Sequence, residues 1–125
     1  MSTLRVDTVQ DRAGTGSPAI NGLAKAWVNF NGSGTVAINA AFNVSSITDN
    51  GVGDYTINFT NALADSKFAV SCTGKRITGD TADVASFVSA ADLGLATQKR
   101  IRTFASNSGG FNATDYTEVY AVFHR

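Results

Sequence analysis

The sequence predicts an all-β protein, an antiparallel β-sandwich or small barrel of about seven strands with an extended N-terminal arm. Good helix formers other than alanine are scarce, because the chain has a single glutamate, Glu118, and few leucines. Val, Ile, Thr and Phe, which suit a pleated and half-buried surface, are plentiful. Short β-type runs follow one another, and Asn-Gly or other glycine-rich turns separate most of them.

The first 22 residues differ from the rest of the chain. Leu4 and Val6 alternate briefly with Arg5 and Asp7, and a link rich in Gly, Ser and Pro follows at residues 14–22. This part has too few apolar residues to fold alone. We therefore expect residues 1–22 to be an extended arm that docks on another surface, and residues 23–125 to form the β-body.

The body opens with a predicted hairpin. Residues 25–30 and 35–44 are the two strands, and Asn-Gly-Ser-Gly at residues 31–34 forms the turn between them. Alternation in the first strand places Trp27 on one face and the core-facing set on the other. That core-facing set is Ala26, Val28 and Phe30.

The most regular alternation of the chain lies in residues 54–60. Tyr55, Ile57 and Phe59 point one way and polar residues point the other. Weaker patterns complete the set of strands at residues 68–75, 83–88, 98–105 and 116–124. Alternation does not give the strand order, so sandwich and barrel both remain open.

The charge balance argues against nucleic acid as a partner. Ten basic and ten acidic residues cancel, and 16% charged residues is well below the roughly 25% of typical soluble domains. Lys99, Arg100 and Arg102 come nearest to a basic patch, but they are more typical of a solvated strand edge. No apolar run approaches the length of a membrane span, so we expect no membrane insertion.

The sequence offers no catalytic or metal-binding constellation. The single histidine, His124, has no motif partner, and the single cysteine, Cys72, is expected to act as a small buried hydrophobe. Acidic residues around Asp49 and Asp54 lack the spacing of a calcium loop. We therefore predict no enzyme, no metal and no cofactor, with a glycan-active enzyme as a remote alternative.

Aromatic residues suggest where contacts are made. Trp27 faces away from the predicted core, which suits a sugar platform or a subunit interface; the enrichment of Trp at interfaces favours the second. Phe30 is expected to stabilise the body or the same contact. The glycine-rich loop at residues 107–114 is predicted to recognise a receptor or partner. Its recognition residues would be Phe111, Asn112 and Tyr116, while Tyr120 is a weaker sugar-platform candidate.

Three segments carry a family resemblance: STLRVDTVQDRAGTGSP, NGLAKAWVNFNGSGTVAI and FNVSSITDNGVGDYTINFTNALADSKFAV. They resemble a recurrent module of small tail-fibre proteins of tailed bacteriophages, notably phages of cyanobacteria and other aquatic bacteria. The likeness runs from Ser2 to about Val70, is looser up to Ala113, and returns in TEVYAVFHR.

The resemblance implies a homotrimer in the virion, made in the cytoplasm of the bacterial host. Its N-terminal segment would attach to other virion proteins, and its C-terminal β-domain would face a host polysaccharide or outer-membrane protein. On this basis Leu4, Arg5, Val6 and Asp7 would form the virion-docking arm. The chain lacks the long shaft of many fibres, so a capsid decoration or cement protein, or a fibre adaptor, is the alternative.

Overall fold

The computed structural model describes residues 2–3, 23–75, 86–88, 94–107 and 109–125, and these form an all-β structure without helices. Its nine strands are β1 (Ala24–Asn31), β2 (Ala37–Phe42), β3 (Val44–Gly51), β4 (Asp54–Phe59), β5 (Ala69–Lys75), β6 (Ser86–Val88), β7 (Gln98–Asn107), β8 (Gly110–Ala113) and β9 (Glu118–His124).

The strands form two antiparallel sheets that enclose one core. The first sheet has the order β2-β1-β9-β5, and the second has the order β3-β4-β7-β6. The short strand β8 also pairs with β7, beyond the stretch of β7 that pairs with β4. Two open sheets with separate edges make a sandwich, which decides between the two predicted architectures.

Aromatic side chains fill the space between the sheets. Phe30 of β1 meets Tyr55 of β4 edge to face, with ring centroids 5.1 Å apart. Phe59, Phe68 and Phe123 form a second aromatic group, with centroid distances from 4.9 to 5.8 Å. Such offset contacts between rings add to the gain from burial. The inward set predicted from alternation in β1 and β4 is confirmed: Ala26, Val28, Phe30, Tyr55, Ile57 and Phe59 are all buried.

Cys72 of β5 packs against this core, as predicted. Burial raises the pKa of its thiol to about 11, because the thiolate loses hydration there. An un-ionised thiol is a poor nucleophile, which fits the role of a small hydrophobe.

The predicted strand at residues 35–44 is confirmed as β2 over Ala37–Phe42, but it ends before Asn43 and not at residue 44. Asn43 adopts a left-handed backbone conformation, with φ of 55°, and the chain passes there from the first sheet to the second. Asn tolerates this region better than most residues. Its side-chain amide fixes the corner, since Nδ2 donates to the carbonyl oxygens of Lys25 and Asn61, each at 3.1 Å. The residues after the corner form β3, a strand that the alternation did not predict.

The loop predicted at residues 107–114 is also wrong, because Gly110–Ala113 is strand β8. Of the weak strand predicted at residues 83–88, the described part is β6. The turn between β3 and β4 does contain a required glycine. Gly53 has a φ of +61°, and a Cβ there would lie 2.5 Å from the carbonyl oxygen of Thr103.

Candidate functional site

The most conspicuous surface lies on the outer side of the first sheet. Trp27 alternates with the buried residues of β1 and therefore points outward, where it is 39% exposed. It pairs in register with Phe42 of β2 on one side and with Val122 of β9 on the other. Directly opposite residues share a face, so these three side chains form an apolar row across the sheet. Phe42, at the edge, is 54% exposed.

Strand β2 lacks cover on both faces. All six of its residues are exposed, and its sequence, AINAAF, contains no charge. Ile38 pairs in register with the inward-facing Phe30, yet it is exposed at the open rim of the sandwich. We call β2 together with Trp27 the β1–β2 face.

The outer edge of β2 is a row of main-chain donors and acceptors. In the described part of the chain β2 pairs with β1 alone, so its other edge has no partner strand among the described residues. A bulge between Asn29 and Phe30 shifts the register at Asn39, whose Nδ2 donates to Asn29 Oδ1 at 3.0 Å. At the end of β2 an open groove of about 360 Å³ is lined by Phe42, Asn43, Thr60 and Asn61. An uncharged edge of this kind is a template for another strand.

The two residues predicted for a subunit contact lie on opposite sides of β1. Trp27 is on the surface, and its role in a contact stays a prediction. Phe30 is completely buried against Tyr55. It therefore has no surface to offer a second subunit, and of its two predicted roles it takes the one in the body.

The three residues predicted for recognition are also separated. Phe111, on β8, is 69% exposed, and Asn112 beside it is exposed as well. Tyr116 is buried instead, and its hydroxyl donates to the carbonyl oxygen of Phe104 at 2.7 Å. Its prediction as an exposed recognition residue is wrong, because the chain turns inward after β8 and the tyrosine closes the end of the core.

Tyr120, the weaker sugar-platform candidate, is half-buried on β9. Its hydroxyl donates to the carboxylate of Glu118, and this hydrogen bond raises the pKa of the phenol. The predicted docking residues Leu4, Arg5, Val6 and Asp7 lie outside the described residues, so their role stays a prediction.

The outer side of the second sheet carries an ion cluster that the sequence did not reveal. Arg100 binds Asp54 through two hydrogen bonds, Nε to Oδ1 at 2.7 Å and Nη2 to Oδ2 at 2.5 Å. Arg102 Nε donates to Oδ2 at 3.0 Å. The Arg100 hydrogen bonds chiefly lower the pKa of the Asp54 carboxyl to about 2. We call these three residues the Asp54 cluster.

The predicted solvated edge at residues 99–102 is therefore wrong, since β7 lies inside its sheet, between β4 and β6. Lys99 points to the opposite side from the arginines. Its ammonium group lies 5.6 Å from the centre of the Phe68 ring, a cation–π contact.

Asp115 ties together two turns at the end of the sandwich. Its Oδ1 accepts a hydrogen bond from Gly53 N at 2.7 Å and lies 2.8 Å from the Tyr55 hydroxyl. That hydroxyl is also 2.8 Å from the carbonyl oxygen of Gly32. Burial, reinforced by Asp115, raises the pKa of Tyr55 well above its usual value. The arrangement binds the β1–β2 turn to the β3–β4 turn.

Across the described ranges there is no group of three or more His, Cys, Asp or Glu side chains placed to hold a metal ion. The described residues likewise contain no helix with the length and apolarity that crossing a membrane requires. Comparison with protein-family models, curated proteins and solved structures gave no match to this chain.

Proposed function

We propose that this chain is a structural protein of a bacteriophage virion, a short tail fibre that attaches through residues 1–22 and takes part in host attachment. The phage assignment comes from the sequence resemblance. One structural observation supports a fibre in particular. Residues 1–22 join the body at the opposite end from the β7–β8 hairpin, which carries the exposed Phe111.

This polarity follows from the course of β1. The chain enters β1 beside Leu23, and β1 ends near Gly32, whose N–H donates to the carbonyl oxygen of Tyr116 at 2.9 Å. Tyr116 follows β8, so the β7–β8 hairpin belongs to the Gly32 end. Eight residues of strand separate the ends by about 25 Å. A body attached at one end and exposed at the other suits a fibre.

The β1–β2 face supports assembly from several copies. Removing water from its apolar row and uncharged edge strand has a low free-energy cost, because no ion loses its hydration when they are covered. The resemblance implies three copies, and in a closed ring each subunit presents the same pair of surfaces to its neighbours. We propose that Trp27 belongs to this contact.

The exposed hairpin is the proposed host-facing surface. Phe111 offers an aromatic ring and Asn112 an amide, a combination that suits a sugar or a polar protein loop. A host surface polysaccharide or an outer-membrane protein would be the receptor.

Binding of the purified, fluorescently labelled chain to host cells tests this role. We expect Phe111→Ala to abolish binding at micromolar concentration while the unfolding midpoint stays unchanged. Val52→Ala is the matched control, because Val52 is an exposed apolar residue in the β3–β4 turn at the same end of the body. Absence of binding by the wild-type chain, or equal loss in both variants, would contradict attachment through this hairpin.

A capsid decoration or cement protein, or a fibre adaptor, is the second candidate. The uncovered edge of β2 favours it, since another virion protein can complete such an edge on the particle. Immunogold labelling of intact particles separates the candidates: labels at the tail support the fibre, and labels over the head support decoration. We also expect removal of residues 1–22 to prevent incorporation into particles. Normal assembly of the shortened chain would refute the docking arm.

A further inference from the structure

The edge strands of the sandwich are not equally protected against strand addition. On β3 the pairing with β4 is interrupted by two bulges, and the strand carries a charge at Asp49. β5 ends in a lysine, Lys75. Natural sheets protect their edges with charges, bulges or covering segments. β2 has only the bulge at Asn39, and the three residues after it, Ala40–Phe42, pair regularly with β1.

We propose that residues 4–7 of a second copy of this chain add as a strand to the outer edge of β2. The inference rests on the homo-oligomer of the proposed function. It gives residues 4–7 a second copy as their acceptor instead of another virion protein, and it leaves attachment to the virion to the rest of residues 1–22. Main-chain hydrogen bonds would complete the edge, and alternate side chains would select the register.

The apolar residues of the arm have the same spacing as those on the outer side of β2. Leu4 and Val6 are two residues apart, as are Ala40 and Phe42 on the outer side of β2. Addition would place the two apolar arm residues beside Phe42 and extend the apolar row. The opposite charges of Arg5 and Asp7 would then lie together at the open rim.

The length of the connecting segment also permits this contact. Residues 1–22 join the body at Leu23, the exposed residue that precedes β1. Strand β1 is the direct neighbour of β2. Residues 8–22, between the arm strand and the body, can span about 50 Å when extended. Exchange of arms around a ring leaves each copy with one arm donated and one β2 edge filled, so no β2 edge stays open.

A mixed cysteine experiment tests the proposal on the full-length chain. Two differently tagged chains, both carrying Cys72→Ser, are co-expressed: one has Leu4→Cys, Val6→Cys or Thr8→Cys, and the other has Ala40→Cys. A disulfide requires Cα atoms within about 7 Å, so only adjacent strands can cross-link. We expect a mixed-tag disulfide with at least one arm position. Ala113→Cys is the control for Ala40→Cys, because Ala113 is an exposed alanine on β8 of the other sheet.

A charge on the edge gives an independent readout. We expect Ala40→Lys to reduce the mass in solution from that of three copies to that of one, and Ala113→Lys to leave it unchanged. If Ala40→Lys keeps the wild-type oligomeric mass and no mixed-tag disulfide forms, the inference is overturned while the oligomer stands. If the wild-type chain is itself a monomer, the proposed oligomer and the inference both fail. A chain that carries both Val6→Cys and Ala40→Cys completes the test. If a disulfide forms within that chain and none forms between differently tagged chains, the arm belongs to its own body and the inference is overturned.

Discussion

The outer sides of the two sheets differ in what their side chains do. On the second sheet Asp54 is almost fully buried beneath two arginines, and its carboxylate oxygens accept hydrogen bonds from both. On the first sheet Trp27 and Phe42 lie side by side and partly exposed, and Phe42 belongs to a strand without charge. Both surfaces are pleated sheets, but the second carries charges that are paired within the chain, whereas the first presents an apolar row beside an edge strand.

This difference indicates which side is made for contact. Covering the Asp54 cluster would strip water from two half-exposed guanidinium groups, at a cost that a partner must offset. Covering the β1–β2 face buries mostly apolar side chains and no ion, and it completes main-chain hydrogen bonds. We therefore expect variants on the two faces to affect different properties: stability on the second sheet and assembly on the first.

The largest expected effect comes from the inner side of β1. At concentrations where the chain is monomeric, Phe30→Ala should lower the free energy of unfolding by about 3–5 kcal/mol, because it leaves a cavity beside Tyr55. Trp27→Ala should change it by no more than about 1 kcal/mol, since Trp27 packs on the open face. Urea denaturation measures both values. Equal losses would mean that Trp27 belongs to the core of the protomer.

Asp54→Asn should lower the free energy of unfolding by about 2–3 kcal/mol, because it keeps the size of the side chain but removes charge-assisted hydrogen bonds to two arginines. Asp65→Asn is the control. Its pair with Arg125 is exposed and screened by water, so the loss should be much smaller than for Asp54→Asn. A loss from Asp54→Asn as small as that of the control would show that the cluster does not stabilise the second sheet.

The Asp54 cluster also predicts a pH dependence. The pKa of Asp54 is about 2 in the folded chain against an ordinary value of 3.8, so its contribution is fully present above pH 4. It is lost as the pH falls from about 4 to 2, and it amounts to about 2 kcal/mol. Urea unfolding at pH 5, 3 and 2 should show this decline in the wild type and a shallower one in Asp54→Asn. An equal decline in the wild type and in Asp54→Asn would show that Asp54 does not cause the loss of stability at low pH.

The smallest expected effect concerns salt. Since β2 has no charge, raising NaCl from about 0.05 to 0.5 M should leave the mass of the oligomer unchanged. Light scattering at the two concentrations checks this. Dissociation at high salt would show that ion pairs, and not the β1–β2 face, hold the copies together.

The sequence predicted the sheet faces better than the connections. Alternation in β1 separated Trp27 from Phe30 correctly, because a strand with one buried face must follow the two-residue period. The corner at Asn43 was missed, since alternation continues across it and only tertiary contacts end the strand. Tyr116 was misplaced for a related reason: its ring closes the core and its hydroxyl reaches Phe104, a pairing that local sequence does not encode. The Asp54 cluster depends on the register of β4 and β7, which alternation leaves open.

The central claim is that copies of this chain assemble through the β1–β2 face. The mass of the purified full-length chain, measured by light scattering, tests it most directly. We predict about 39 kDa, three copies of the 13.0 kDa chain, together with a fall to a single copy in Ala40→Lys. A wild-type chain that stays at the mass of one copy at every concentration would contradict the claim.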